Sequence, residues 1–192
     1  GGGAGLTPTT YGSGGGGGAG GYSNGLRAKD GAVILAGRGF APSNYTLTIN
    51  SGSGEASVNG NVVAIRGITV NSSNLNNSID GIISGSTFVT KQGEGVLALN
   101  GVNTYTGLTT ISNGTIKIVN ASGLGAASTG TTIEVGAILD IQASTLAEPI
   151  TGNGGIISTS GAGTTLSGNI SLTANTIFRP VGSAVMTVNS VI

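Results

Sequence analysis

The sequence contains no histidine, no cysteine and no tryptophan. Without histidine there can be no Ser-His-Asp triad, and without either histidine or cysteine the usual zinc and iron sites cannot be built. The absence of cysteine also excludes a disulfide framework. Charged residues make up only 7% of the chain, against roughly 25% in an ordinary soluble domain. We therefore expect no enzyme activity, no cofactor and no metal.

Positive charge is also too sparse for a polyanionic partner. Seven Lys and Arg balance seven Asp and Glu over 192 residues. The one local cluster is Arg27, Lys29 and Arg38, and Asp30 partly offsets it. Nucleic-acid binding requires a basic patch, and no apolar run approaches the ~18 residues of a membrane span. The sequence predicts neither a nucleic-acid partner nor membrane insertion of this segment.

What is abundant is small, polar or β-branched. Gly, Thr, Ser and Asn together supply 100 of the 192 residues. Isoleucine and valine number 33 against 13 leucines, and 24 threonines add to the β-branched total. Such side chains are stiff at the first torsion and suit a pleated surface. The composition predicts an all-β fold with many turns.

The chain divides by composition into three predicted segments. Residues 1–25 are a glycine-rich, low-complexity segment with an unbroken run at 14–18; a flexible linker and packed, polyproline II-like strands both remain open. Residues 26–78 form a glycine-rich and partly irregular β region, with a period-two strand at 45–49. Through the stretches 14–22 and 42–49 and a second glycine-flanked stretch to Val70, residues 1–78 resemble the glycine-rich domains of phage fibres and bacterial surface proteins. Residues 79–192 form the third segment.

In this third segment, pairs of inward-facing apolar residues recur every 19 to 23 residues. They are Leu97/Leu99, Ile116/Ile118 and Leu139/Ile141, with Ile111 and Ile133 repeating 22 residues apart on a second strand. Short strands are predicted at 96–99, 108–112, 115–119, 131–135, 138–142, 155–158, 169–173 and 184–188. A period near 20 residues is one coil of a solenoid. We therefore predict a right-handed parallel β-helix over 79–192, in preference to a β-sandwich.

One stretch, from Lys91 to Ile116, carries a specific motif. A lysine precedes a Gly-X-Gly, alternating leucines, an Asn-Thr-Tyr-Thr-Gly turn, Thr-Thr-Ile and a closing Gly-Thr-Ile. The motif residues are Lys91, Gly93, Gly95, Leu97, Leu99, Gly101, Asn103, Tyr105, Gly107, Thr110, Ile111 and Gly114. The stretch closely resembles the autotransporter-associated β-strand repeat of type V secretion passenger domains, and the resemblance covers about residues 79–142. It implies an exported stalk or fibre module.

Physical chemistry assigns these residues structural roles. The five motif glycines are predicted to adopt positive φ at corners. Asn103 is predicted to bond nearby backbone groups, and Tyr105 to cover a corner with its hydroxyl at the surface. The carboxylates Glu134 and Asp140 are predicted to point outward, which argues against a glycosidase pair. If the strands stack, Lys117 and Asp140 become neighbours.

The sequence thus predicts a structural or adhesive extracellular module of a large surface protein. It is expected to be secreted to the cell surface and to self-associate into a fibre or homo-oligomer, with surface glycans or a host or neighbouring cell as candidate partners. A phage tail fibre or virion decoration protein is one alternative, and a carbohydrate-active β-helix enzyme is another. Ice binding is disfavoured because Thr46-Leu47-Thr48 is not repeated. The chain starts without methionine and is expected to be a piece of a longer protein.

Overall fold

The computed structural model describes residues 26–29, 32–35, 43–63 and 65–189. The predicted low-complexity segment 1–25 lies outside these ranges. The described residues form strands and turns, and none of them lies in a helix. The predicted all-β class is therefore confirmed.

Twenty-one short strands are formed by the described residues. In chain order they are β1 (Leu26–Lys29), β2 (Ala32–Leu35), β3 (Ser43–Gly52), β4 (Ala56–Val58), β5 (Val62–Val63), β6 (Ile65–Ser72), β7 (Asn77–Ile79), β8 (Ile83–Ser84), β9 (Phe88–Gln92), β10 (Val96–Leu99), β11 (Thr109–Ile111), β12 (Thr115–Ile118), β13 (Thr131–Ile133), β14 (Ile138–Ile141), β15 (Thr145–Leu146), β16 (Ile150–Asn153), β17 (Ile156–Thr159), β18 (Gly163–Leu166), β19 (Ile170–Ala174), β20 (Ile177–Pro180) and β21 (Val185–Val188).

The strands stack into two long sheets. Sheet A has the order β1-β2-β4-β7-β10-β12-β14-β17-β20, and sheet B has the order β3-β6-β9-β11-β13-β16-β19. Smaller sheets pair β15-β18-β21 and β5-β8. The β1–β2 pair is antiparallel, whereas successive coils pair in parallel, for example β10 with β12 and β11 with β13. Because each coil adds one strand to sheet B, its seven strands mark about seven coils of a parallel β-solenoid.

The register explains the predicted spacing. Leu97 pairs with Ile116, which pairs with Leu139, and Ile111 pairs with Ile133. All five of these side chains are fully buried or nearly so. In β10, β12 and β14 buried positions alternate with partly exposed ones, as period-two strands on one core require. The predicted stacking of these strands is confirmed.

The two sheets run without a break across the predicted boundary between residues 78 and 79. β3 pairs with β6, and β6 with β9, in one parallel series. In sheet A, β4 and β7 lead directly to β10. The turns that follow β3 and β4 therefore connect strands of different sheets and make no hairpins. The division of the chain into domains remains a prediction that is based on composition.

The end of the described solenoid differs from its middle. Strand β19 buries its first residue and exposes the next four. In the last coil, Ile177 is 54% and Val185 65% exposed. Strands β19, β20 and β21 each lie at the edge of their sheet. The inward-facing Phe178, Met186 and Val188 are only partly buried here, whereas the residues on which they stack, Ile157, Thr164 and Leu166, are buried.

Candidate functional site

The motif residues form two successive coils in the middle of the solenoid. Leu97, Leu99 and Ile111 face the core and are buried. Thr110 stands between two buried neighbours and faces outward, half exposed. Lys91 lies in strand β9, and the other motif residues lie at the corners, where the chain passes from one sheet to the other. Their contacts explain why those residue types occur there.

Lys91 lies at an inward position of β9 and is fully buried. Its strand neighbours in the register are Val70 and Ile111. The ammonium Nζ donates hydrogen bonds to the carbonyl oxygens of Gln92 at 2.6 Å and Gly93 at 2.8 Å. Burial lowers the pKa of Lys91 to about 8. We call residues 91–95 the lysine corner: backbone carbonyls, rather than a carboxylate, receive the buried cation.

The motif glycines divide into two kinds, which corrects the prediction that all five adopt positive φ. Gly93 and Gly114 do so, with φ of 71° and 69°. A Cβ at Gly95 would lie 2.2 Å from the Asn74 carbonyl oxygen of the preceding coil. Gly101 and Gly107 face backbone in the same way, at 2.5 and 2.3 Å. Close stacking of coils, rather than torsion, therefore requires glycine at 95, 101 and 107.

Asn103 is buried and joins three coils. Its Oδ1 accepts from the Ile83 N–H at 2.8 Å, and its Nδ2 donates to the Gly123 carbonyl at 2.8 Å. These are the backbone hydrogen bonds predicted for it. Asn77 is placed in the same way, accepting from the Ala56 N–H at 3.1 Å and donating to the Val96 carbonyl at 2.9 Å. Sequence reasoning missed Asn77, since it lies before the motif.

Tyr105 contradicts the prediction that its hydroxyl lies at the surface. The whole side chain is buried, and its hydroxyl shares a 2.6 Å hydrogen bond with the Thr109 Oγ1. Burial raises the pKa of Tyr105 far above its usual range. A Cβ at Gly125, in the next coil, would lie 3.0 Å from the ring. Glycine at position 125 therefore leaves space for the Tyr105 ring, and the next coil covers the ring.

A second buried polar pair lies outside the motif and was not predicted. Glu148 is only 4% exposed, and its Oε1 accepts from the Thr131 Oγ1 at 3.2 Å. Burial raises the pKa of Glu148 to about 7, and the hydrogen bond from Thr131 partly opposes this rise. Thr131 stacks directly on Thr109. We call Thr131 and Glu148 the glutamate corner; the order of residues in the sequence gave no sign that Glu148 faces inward.

The two carboxylates that are predicted to point outward do so. Glu134 and Asp140 are partly exposed, and each accepts a 2.6 Å hydrogen bond, from Asn153 Nδ2 and Ser160 Oγ respectively. Lys117 and Asp140 are direct neighbours in the register, which confirms the predicted stacking. The described part of the chain contains no group of three or more His, Cys, Asp or Glu residues that could hold a metal ion.

These features define a class: a parallel β-solenoid whose corner residues serve to stack coils. Residues 89–118 match the family model described as the passenger-associated-transport-repeat. This confirms the resemblance to a repeat of autotransporter passengers, at the coils that contain the lysine corner, Asn103 and Tyr105.

A curated relative points in the same direction. Over 133 residues, or 69% of this chain, the sequence is 29% identical to the adhesin BmaC autotransporter of Brucella suis biovar 1 (strain 1330). The chain spans only 4% of the length of that adhesin. No solved structure matches the chain significantly. Within the described ranges, no helix is long and apolar enough to cross a membrane.

Proposed function

We propose that this chain is an adhesive passenger module of a bacterial cell-surface protein. In this proposal the protein is secreted, the solenoid acts as a stalk, and its faces contact surfaces, host cells or neighbouring cells. The observation that carries the proposal is the passenger-associated-transport-repeat at 89–118, set within one continuous stack of coils. Likeness to an autotransporter adhesin supports a bacterial surface role over a virion fibre.

The placement of the carboxylates supports a role without catalysis. The two carboxylates considered as a glycosidase pair each bond a different neutral side chain, Asn153 and Ser160. The buried Glu148 bonds Thr131 inside the stack. In these contacts the carboxylates serve the packing of neighbouring coils.

Surface display tests the adhesive role. The chain is joined to an outer-membrane anchor in a non-adherent bacterium, and attachment to epithelial cells and to glass is counted. We expect several-fold more attached cells than with the anchor alone, at equal surface amounts measured through a common tag. Equal attachment of both strains would contradict the proposal.

We also propose that the module self-associates side by side, through the outer faces of strands β20 and β21. Ile177 and Val185 are exposed apolar side chains on these strands, and exposed apolar surface favours contact with another copy. A net charge of zero removes long-range repulsion between copies.

Sedimentation equilibrium over a range of concentration and salt tests this association. The mass of the wild-type chain should rise with concentration, and the variant Ile177→Lys/Val185→Lys should stay monomeric. Val102→Lys is the matched control, since Val102 is 60% exposed in the middle of the solenoid, and it should associate like wild type. A wild-type chain that is monomeric throughout would contradict self-association.

A further inference from the structure

A single column of hydroxyl side chains runs along the outer face of sheet B. Each of its members pairs with the next in the parallel register, and together they span all seven strands of the sheet. They are Thr48, Thr69, Thr90, Thr110, Thr132, Thr151 and Ser171. Because the intervals vary between 19 and 22 residues, the column is not visible as a fixed sequence period.

The column faces solvent. Its five middle threonines are half exposed and its two end residues are exposed. The strand residues on either side of Thr110, Thr109 and Ile111, are buried, so the alternation of the strand turns Thr110 outward. Among the described residues, none of the seven hydroxyl groups makes a hydrogen bond to protein. Each therefore keeps a donor and acceptor capacity free for a ligand.

The array is regular in one direction only. Neighbouring parallel strands lie about 4.8 Å apart, so the column offers one hydroxyl per step over roughly 29 Å. On one side the adjacent column begins with Thr46 and continues with Gly67 and Phe88, so it does not repeat the hydroxyl from coil to coil. A one-dimensional array matches a linear polymer better than a planar lattice such as ice.

The neighbouring groups narrow the chemistry of such a polymer. On the other side of the column stand the exposed amides Asn50, Asn71 and Gln92, which are paired in register. Phe88 lies over Gly67, whose added Cβ would meet the ring at 2.2 Å, so an aromatic surface borders the hydroxyls. The threonine column and the two columns beside it contain no lysine or arginine at their paired positions. An anionic polymer needs such cations to bind. The surface therefore suits a neutral polymer that is rich in hydroxyl groups.

We propose that this threonine column binds a linear, neutral polysaccharide lying along the solenoid axis. A pyranose unit in an extended chain is about as long as one strand spacing of about 4.8 Å, so successive sugars meet successive hydroxyls. The amides supply further donors and acceptors, and Phe88 faces the apolar side of a ring. The inference rests on the proposed surface role, because that role decides where the chain meets a polysaccharide. Binding itself can be measured on the purified chain.

Isothermal titration of the purified chain with a soluble β-glucan and a soluble mannan tests the proposal, with alginate and heparin as anionic probes. At least one neutral probe should bind, with an affinity that salt leaves unchanged. The variant Thr110→Val/Thr132→Val removes two hydroxyls at constant shape and should bind roughly tenfold more weakly. Thr115→Val is the matched control, because Thr115 is half exposed on sheet A, and should bind as wild type does.

A serine variant separates chemistry from folding. Thr110→Ser/Thr132→Ser keeps the hydroxyls and should retain wild-type affinity, even if both double variants lose some thermal stability. Failure of wild type to bind either neutral probe would overturn the proposal. Three other results would also overturn it. They are salt-sensitive binding to the anionic probes alone, an equal loss of affinity in the serine and valine variants, and ice shaping by a chain that binds no polysaccharide. Binding by the purified chain without attachment of displaying cells would overturn the adhesive role and leave the column's assignment standing.

Discussion

The lysine corner and the glutamate corner are two solutions to the burial of a charge-bearing side chain in one solenoid. At the lysine corner, Lys91 donates to backbone carbonyls that the turn itself holds in place. At the glutamate corner, Glu148 depends on one hydroxyl supplied by Thr131. The first lies inside the transport repeat and the second lies downstream of it. Within the repeat, the buried polar groups of Lys91 and Asn103 bond the backbone, which other side-chain substitutions cannot remove.

The two corners also respond to pH in opposite ways. The pKa of Glu148 is raised from 4.5 to about 7 in the folded chain, so the unfolding free energy falls as pH rises through that interval. The pKa of Lys91 is lowered from 10.5 to about 8, so the unfolding free energy rises between pH 8 and 10.5. Together these two groups place a minimum of stability near pH 7 to 8, where many proteins are most stable.

The largest expected effect comes from filling the lysine corner. A Cβ at Gly114 would lie 2.4 Å from the carbonyl oxygens of Gly93 and Gly95 and 2.8 Å from Lys91 Nζ. Gly114→Ala should therefore cost more than about 4 kcal/mol, measured by denaturant unfolding. Gly136→Ala is the control: its φ is also positive but nothing lies within 4 Å, so only strain of about 1–2 kcal/mol is expected. Equal losses would show that torsion alone selects these glycines.

The glutamate corner should show the next largest effect. Glu148→Gln keeps the shape of the side chain and cannot ionise, so it should remove the fall in stability between pH 4.5 and 7. At pH 8 the variant should be more stable than wild type by about 2–3 kcal/mol, while at pH 4 the two should agree. Chemical denaturation at several pH values measures this. Parallel pH profiles for both chains would mean that the ionisation of Glu148 is not linked to folding.

A somewhat smaller alkaline effect is expected at the lysine corner, since the carbonyl hydrogen bonds favour the charged form and oppose the cost of burial. Between pH 8 and 10.5 wild type should gain about 1–3 kcal/mol. Lys91→Met should abolish this gain, and Lys117→Met, on the outer face, should keep it. If both variants retain the gain, another group causes it.

The smallest effect tests a neutral pair in the repeat. Tyr105→Phe removes the hydroxyl bonded to Thr109 and should cost about 1 kcal/mol or slightly more. The double variant Tyr105→Phe/Thr109→Val removes both partners and should recover part of the loss in thermal unfolding. A double variant that loses the sum of the two single losses would contradict a direct coupling.

The coil spacing could be predicted from the sequence because the core residues determine it. Leu97, Ile116 and Leu139 must face inward, and the alternation of strands leaves one register that buries them all. The outward orientation of Glu134 and Asp140 follows from the same rule. Corners obey no such alternation, and the prediction for Tyr105 is wrong there: its hydroxyl is expected at the surface but is buried and bonds Thr109.

What the sequence could not reveal depends on contacts between coils of unequal length. Gly95 and Gly114 differ in backbone torsion, and each lies against different groups of the preceding coil. The sequence alone shows neither the torsion nor those groups. The sequence does not indicate that Glu148 is buried, because Glu148 lies between the short strands β15 and β16, outside any alternation of buried and exposed residues. The threonine column is not apparent in the sequence for a related reason. Its members align only when the different lengths of the connections between strands are taken into account.

The asparagine side chains that join three coils have a mechanical consequence. In a solenoid each coil contacts only its neighbours, so a chain under load peels from an end, one coil at a time. When peeling reaches Asn103, separating the next coil must break a buried side-chain hydrogen bond in addition to the backbone bonds of the strands. Asn77 adds the same resistance one coil earlier. Peeling should therefore slow at these two positions.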